Sequence, residues 1–221
     1  MPSDLYANGM ARLSELVATT AGALNLEEPT VSVCARHLRE TGLIKQKGRG
    51  PSAAQMGPTD ASNLLLGLMA SDALQHAPEN VRRARKITFS STLVNDTLEK
   101  EKPQFPFLLA GDTLGDALDT MFDELGRYGM VLTTHVPPNL SASVVKGDLT
   151  FHVQRPGNIC WFEIDDGDEM YEVSFTGPPW QVGDGVLSDR HGGMKTVTEV
   201  RLESLGEIAD ALNLRDVGGT E

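Results

Sequence analysis

The spacing of the hydrophobic residues changes along this chain, and that change limits the possible folds more than any other feature. In the first half, apolar residues recur every three or four positions, as in amphipathic helices. In the second half, short apolar runs are separated by turn signals, and DDGD between ICWFEI and EMYEVSF favours a β-hairpin. The predicted strands are MVLTTHV, DLTFHVQ, NICWFEI, EMYEVSF and KTVTEVRL. The pattern predicts an α+β fold, with a helical N-terminal domain followed by a C-terminal α+β domain with an antiparallel sheet.

Six helices are predicted, and several carry clear start or stop signals. One begins near Pro29, turns Val31, Ala35 and Leu38 inward, and stops at Gly42. The last is predicted to begin at Ser204, with Glu207 completing a capping box. The other predicted ranges are 10–20, 59–73, 78–86 and 113–126.

Charge divides the chain in a similar place. Residues 1–102 hold 12 Lys and Arg against 11 Asp and Glu, a net of +1, whereas residues 103–221 hold 7 against 20, a net of −13. This asymmetry predicts two domains, and the Pro-bearing KPQFPF at 102–107 is the candidate boundary between them. The predicted domains are 1–86 and 112–221, with residues 87–111 as a linker or an ambiguous segment. Because an acidic surface repels nucleic acid, any such contact is expected in the first half.

A positive stretch stands out within residues 29–50, which carry five Lys and Arg and one acid. A helix that enters a DNA groove needs an apolar inner face and short polar or basic side chains outside. With Val31, Ala35 and Leu38 inward, the helical spacing turns four residues outward and places Ser32 and Cys34 at the margins. The four outward residues are Thr30, Val33, Arg36 and His37.

The pattern LSELVATTAGALNLEEPTVSVCARHLRETGLI resembles the winged helix-turn-helix family of bacterial and phage DNA-binding proteins, over about residues 10–57. The resemblance implies a bracing helix, a recognition helix opening at "TVS", and a two-stranded wing in LIKQKGRGPSAAQM, for which a plain loop is the alternative. It implies a DNA-binding domain at 1–86 and an acidic oligomerisation or sensing domain at 112–221. The DNA-binding residues expected on this basis are Thr30, Ser32, Val33, Arg36, His37, Arg39, Lys45, Lys47 and Arg49.

A second basic cluster, RRARK at 82–86, is predicted at the end of a helix. It could extend the contacts to DNA phosphates. Alternatively, it is a helix C-terminus at which the macrodipole stabilises cations. The residues concerned are Arg82, Arg83, Arg85 and Lys86.

No pattern of catalytic, metal-ligating or cofactor-binding residues is found. The five histidines lack a partner at metal-ligand spacing, and Cys160 lies in a strand pattern typical of the core. The expectation is therefore a non-enzymatic protein without a metal or a cofactor. With no apolar segment long enough for a bilayer and no signal-peptide pattern, a cytoplasmic location with no membrane contact is expected.

Three functions remain open. The leading hypothesis is sequence-specific binding of double-stranded DNA by a bacterial or phage transcriptional regulator, acting as a homodimer or higher oligomer. The second is a phage DNA-packaging recognition subunit, similar to a small terminase, which would assemble as a ring. The third is an interaction protein that binds a protein partner through its acidic C-terminal half.

Overall fold

The structure is a computed structural model, and it describes residues 12–46, 54–128, 147–155, 159–177, 181–182, 185–186 and 196–212. Within these ranges it has seven α-helices and a six-stranded antiparallel sheet, which confirms the predicted α+β class. The helices are α1 (Leu13–Ala23), α2 (Glu28–Glu40), α3 (Pro58–Met69), α4 (Ala77–Ala84), α5 (Pro106–Leu109), α6 (Leu114–Tyr128) and α7 (Leu202–Asp210). The strands are β1 (Thr88–Val94), β2 (Thr97–Glu99), β3 (Asp148–Arg155), β4 (Ile159–Asp165), β5 (Met170–Thr176), β6 (Gln181–Val182), β7 (Gly185–Val186) and β8 (Thr196–Arg201).

The sheet has the strand order β2-β1-β5-β4-β3-β8, and every neighbouring pair is antiparallel. Strands β4 and β5 form the hairpin predicted from DDGD, in which Gly167 has a φ of +91°. Four of the five predicted strands are confirmed as β3, β4, β5 and β8, and MVLTTHV lies outside the described residues. Among the described residues, strands β6 and β7 pair only with each other, in a separate two-stranded sheet.

One face of the large sheet carries the core. Side chains alternate along each strand, so buried residues such as Phe151, Phe162 and Phe175 share this face. The α5 segment packs onto it through two edge-to-face pairs, Phe107 with Phe162 at 5.4 Å and Phe105 with Tyr171 at 5.2 Å between ring centroids. Such pairs are favourable because the positive ring edge meets the negative ring face.

The helices and the sheet share one hydrophobic core. Helix α3 packs on α6, α1 packs on α7, and the buried apolar side chains of both halves belong to one hydrophobic cluster. Residues 87–111, for which the sequence predicts no element, hold β1, β2 and α5. The domain division at 86 and 112 stays a prediction.

The start of the last helix differs from its prediction. Helix α7 begins at Leu202, directly after β8, and Arg201 occupies the N-cap position. The predicted cap, Ser204, lies inside the helix, where its hydroxyl donates a hydrogen bond to the carbonyl of Ala23 at 2.8 Å. The capping-box prediction is therefore wrong, and Ser204 joins α7 to the end of α1 instead.

Across the part of the chain that the structure describes, none of the helices combines the length and apolar character needed to cross a membrane.

Candidate nucleic-acid interface

Helix α2 forms where the sequence predicts it. Its first turn holds Glu28 and Pro29, a favourable pair because proline lacks the N–H that would have no partner there, and a carboxylate is stabilised at the positive end of the helix dipole. The helix ends at Glu40, and the left-handed Gly42 follows with a φ of +74°. The predicted inner face of Val31, Ala35 and Leu38 is buried.

Helix α2 lies unusually close to α3 at a glycine. A Cβ on Gly67 of α3 would lie 2.8 Å from Cys34 Sγ, closer than Cβ atoms come to other atoms in proteins, and 3.1 Å from Leu38 Cδ1, which would have to shift slightly. Cys34 is fully buried in this contact, so its predicted place at the margin is wrong. Burial raises the pKa of the Cys34 thiol to about 12, which makes it a packing residue and not a reactive thiol.

The outer face of α2 carries the residues expected to meet DNA. Thr30, Ser32 and Arg36 are exposed, while Val33 and His37 are half-buried. Near the end of the helix, Glu40 lies 3.9 Å from Arg36 Nε and 3.8 Å from His37 Nδ1. These long separations across exposed side chains leave Arg36 able to exchange its partner for a phosphate.

Arg39 differs from its neighbours. It is half-buried, and its Nε has no hydrogen-bond partner among the described residues. It belongs to the predicted set of DNA-binding residues, but less of its side chain reaches the surface than in Arg36.

The predicted wing follows α2. Residues 43–46 and 54–57 are not strands, so a winged arrangement is not confirmed, and Lys47 and Arg49 lie outside the described residues. The two flanks are nevertheless held together by the buried carboxylate of Asp60. Its oxygens accept the backbone N–H of Lys45 at 2.9 Å and that of Gly57 at 2.8 Å, and Lys45 Nζ lies 3.4 Å from the same carboxylate. The sequence pattern does not predict this role of Asp60, because Lys45 lies 15 residues away in the chain.

One residue of the second basic cluster, Arg82, contacts the positive stretch 29–50 in the structure. Arg82 of α4 is exposed, and its Nη2 donates a hydrogen bond to the carbonyl of Thr41 at the C-terminus of α2, at 3.1 Å. A cation at this end also stabilises α2, because the carbonyls there carry partial negative charge. We call the resulting patch the α2–α4 surface, made of Thr30, Ser32, Val33, Arg36, His37, Lys45 and Arg82.

The other cations of the second cluster are placed differently. Arg83 pairs with Glu79 within α4, and Lys86 is exposed just beyond the helix. Arg85 is turned inside, where its two terminal nitrogens bond Asp119 at 2.9 and 2.8 Å and Nη1 also bonds Asn63 at 3.1 Å. Arg85 therefore holds α3, α4 and α6 together.

The pKa of Asp119 reflects this position. Burial works to raise the pKa, but the hydrogen bonds from Arg85 and Thr59, together with the positive charge of Arg85, hold it below its ordinary value. The carboxylate thus stays ionised and keeps Arg85 away from the α2–α4 surface.

The outer face of the sheet contrasts with the α2–α4 surface. We call it the open face, defined by the side chains that alternate with the core residues, including Trp161, Glu163, Met170, Glu172 and Val197. Glu163 lies directly opposite Glu172, and the rings of His152 and Trp161 stack with centroids 4.7 Å apart. This face is acidic and partly apolar, unlike the α2–α4 surface.

Comparison of the chain with protein-family models, curated proteins and solved structures gave no match.

Proposed function

We propose that this chain binds double-stranded DNA through the α2–α4 surface, with α2 as the element that enters the major groove. The observation that carries the proposal is the contact between two basic clusters that are distant in sequence, in which Arg82 Nη2 lies 3.1 Å from the Thr41 carbonyl at the end of α2. Phosphate contacts beside the reading helix fix its position on the duplex, and Arg82 adds a cation from a second helix next to the end of α2.

The side chains on this surface have suitable chemistry for separate tasks. Arg36 and Arg82 can bind phosphates, which supply most of the affinity and none of the sequence preference. Thr30 and Ser32 can bond either phosphates or base edges, and Val33 can contact a thymine methyl group. We also propose that this binding is sequence-specific, as expected for a bacterial or phage transcriptional regulator in the cytoplasm.

The acidic part of the chain supports selectivity. Exposed Glu27 and Glu28 flank the start of α2, and residues 103–221 carry a net charge of −13. These charges repel the phosphates of any duplex and so weaken non-specific binding. A stable complex then needs the additional contacts of a specific site. One short helix reads too few base pairs for useful specificity, and we therefore propose that the chain acts as a homodimer or a higher oligomer.

The test is duplex binding by the full chain as a function of salt, followed by the same measurement on Arg36→Ala combined with Arg82→Ala. We expect the slope of log affinity against log salt concentration to fall by about 1.8, since each lost phosphate contact removes about 0.9. Selection of bound fragments from a random duplex library, with light scattering on the complex, would give the preferred sequence and the oligomeric state.

The matched control is Lys100→Ala, which removes one exposed cation after β2. It should leave the salt slope unchanged. Binding that does not depend on salt, or a double variant that binds like the control, would overturn the proposal.

A further inference from the structure

A cleft of about 470 Å³ lies where the helices meet the edge of the sheet. Its walls come from the end of α1 and the turn after it, the end of α3, strands β3 and β8, and the start of α7. The size falls within the range of small-molecule sites, which are mostly apolar and hold a few convergent polar groups. Nothing in the proposed DNA contact uses this cleft.

One wall of the cleft carries Arg155, at the end of β3 on the core side of the sheet. Its Nη1 donates to the carbonyl of Ser71 at 2.9 Å and lies 3.2 Å from Asp72 Oδ1, while Nη2 donates to Thr198 Oγ1 at 3.2 Å. Its Nε is buried and has no hydrogen-bond partner among the described residues. A buried guanidinium N–H without a partner is costly and calls for an explanation.

The unpartnered Nε–H points to a carboxylate. The Nε–H and one N–H of Nη2 lie on the same edge of a guanidinium, and this edge matches the two oxygens of a carboxylate in a bidentate pair. Because Nε is enclosed in the unliganded chain, binding includes a small shift of the Arg155 side chain, one fifth of which is exposed.

Another part of the cleft lining is apolar. Leu24 and Leu26 belong to the turn between α1 and α2, and Leu68 and Met69 end α3. Leu26 is 41% exposed, one of the few large apolar side chains so open to solvent among the described residues. An apolar body bound here would cover that surface and gain hydrophobic free energy.

The geometry points to a binding site for a small carboxylate with an apolar body, held by Arg155 at its charged end and by the leucines at the other. This site is independent of the proposed DNA binding. Arg201 at the rim is outnumbered by the exposed Glu199 and Glu203, so the charges of these three rim residues do not themselves attract an anion. Selectivity for an anion therefore comes from the unpartnered edge of Arg155.

The experiment is isothermal titration calorimetry of the full chain with octanoate, compared with octanol and octylamine as uncharged and cationic probes of the same length. We expect octanoate to bind about tenfold or more tightly than either analogue, since a hydrogen-bonded ion pair distinguishes them. Absence of octanoate binding, or equal binding of octanol, would overturn the proposal.

Two substitutions at one exposed position test the location without relying on Arg155, whose loss also removes its bonds to Ser71 and Thr198. Leu26→Glu should weaken octanoate binding more than Leu26→Lys, because both remove the same apolar contact and only the glutamate also repels the carboxylate. Leu109→Glu, at an exposed leucine of α5, is the matched control and should leave binding unchanged. If the two Leu26 variants bind octanoate equally, the cleft is not the site.

Discussion

The α2–α4 surface and the open face of the sheet carry opposite charge, and they hold that charge in different ways. On the α2–α4 surface, Arg82 bonds the end of a helix and Lys45 lies beside the buried Asp60, so the cations also hold the protein together. On the open face, Glu163 lies directly opposite Glu172, and like charges across a strand pair oppose folding. The cations of the basic surface are therefore coupled to the fold, whereas Glu163 and Glu172 repel each other across the acidic face.

The largest expected effect is a difference in stability between substitutions on the core face and on the open face of the sheet. Phe162→Ala should lower the free energy of unfolding by about 3–5 kcal/mol, because Phe162 is fully buried against Phe107 and Phe151. Met170→Ala, on the open face at 49% exposure, should change it by less than about 0.5 kcal/mol. Urea denaturation of both variants measures this difference. A similar loss in both would mean that the open face is part of a second packed layer.

A smaller effect tests whether the α2–α4 surface depends on close helix packing. Gly67→Ala should destabilise the chain, since a steric cost of about 1–3 kcal/mol against Cys34 and Leu38 exceeds a gain in helix propensity of about 1 kcal/mol. DNA affinity should fall with it, because α2 has to move.

Gly22→Ala is the matched control for this substitution. It lies in α1 with no atom within 4 Å of the added Cβ, so it should be neutral or stabilising. If Gly67→Ala and Gly22→Ala give the same free energy of unfolding and the same DNA affinity, the α2–α4 surface does not depend on close packing at Gly67.

The smallest effect concerns charge on the open face. Glu172→Lys should raise the free energy of unfolding by about 0.2–1 kcal/mol, because it replaces a repulsion with Glu163 by an attraction. The gain should shrink at 1 M salt, while the salt slope of DNA binding should not change. A stabilisation that persists in high salt would show that packing, and not charge, is responsible.

The sequence predicted correctly those features that a single helix or a single hairpin determines. The spacing of Val31, Ala35 and Leu38 predicted the buried side of α2, and DDGD predicted the β4–β5 hairpin. Both signals are local, because helical periodicity and turn chemistry act over a few residues.

The errors occurred where two distant elements meet. Cys34 is buried because Gly67 of α3 leaves room for close approach, and Ser204 bonds Ala23 because α7 begins directly after β8. The sequence pattern S-x-x-E is compatible with a cap, but it says nothing of a carbonyl from another helix. Beside KGRG the sequence left two short strands or a plain loop open, and residues 43–46 and 54–57 are not strands; there the Asp60 carboxylate organises the backbone.

The sequence by itself determined the α+β class, the position of most helices and strands, and the separation of a nearly neutral half from an acidic one. Only the tertiary structure decided that Arg82 reaches the end of α2, that Arg85 is turned inside to Asp119, and that Arg155 lines a cleft with an unpartnered Nε. Local preferences depend on neighbours in the chain, whereas the partner of a long cationic side chain depends on which distant carbonyl or carboxylate the packing brings within reach.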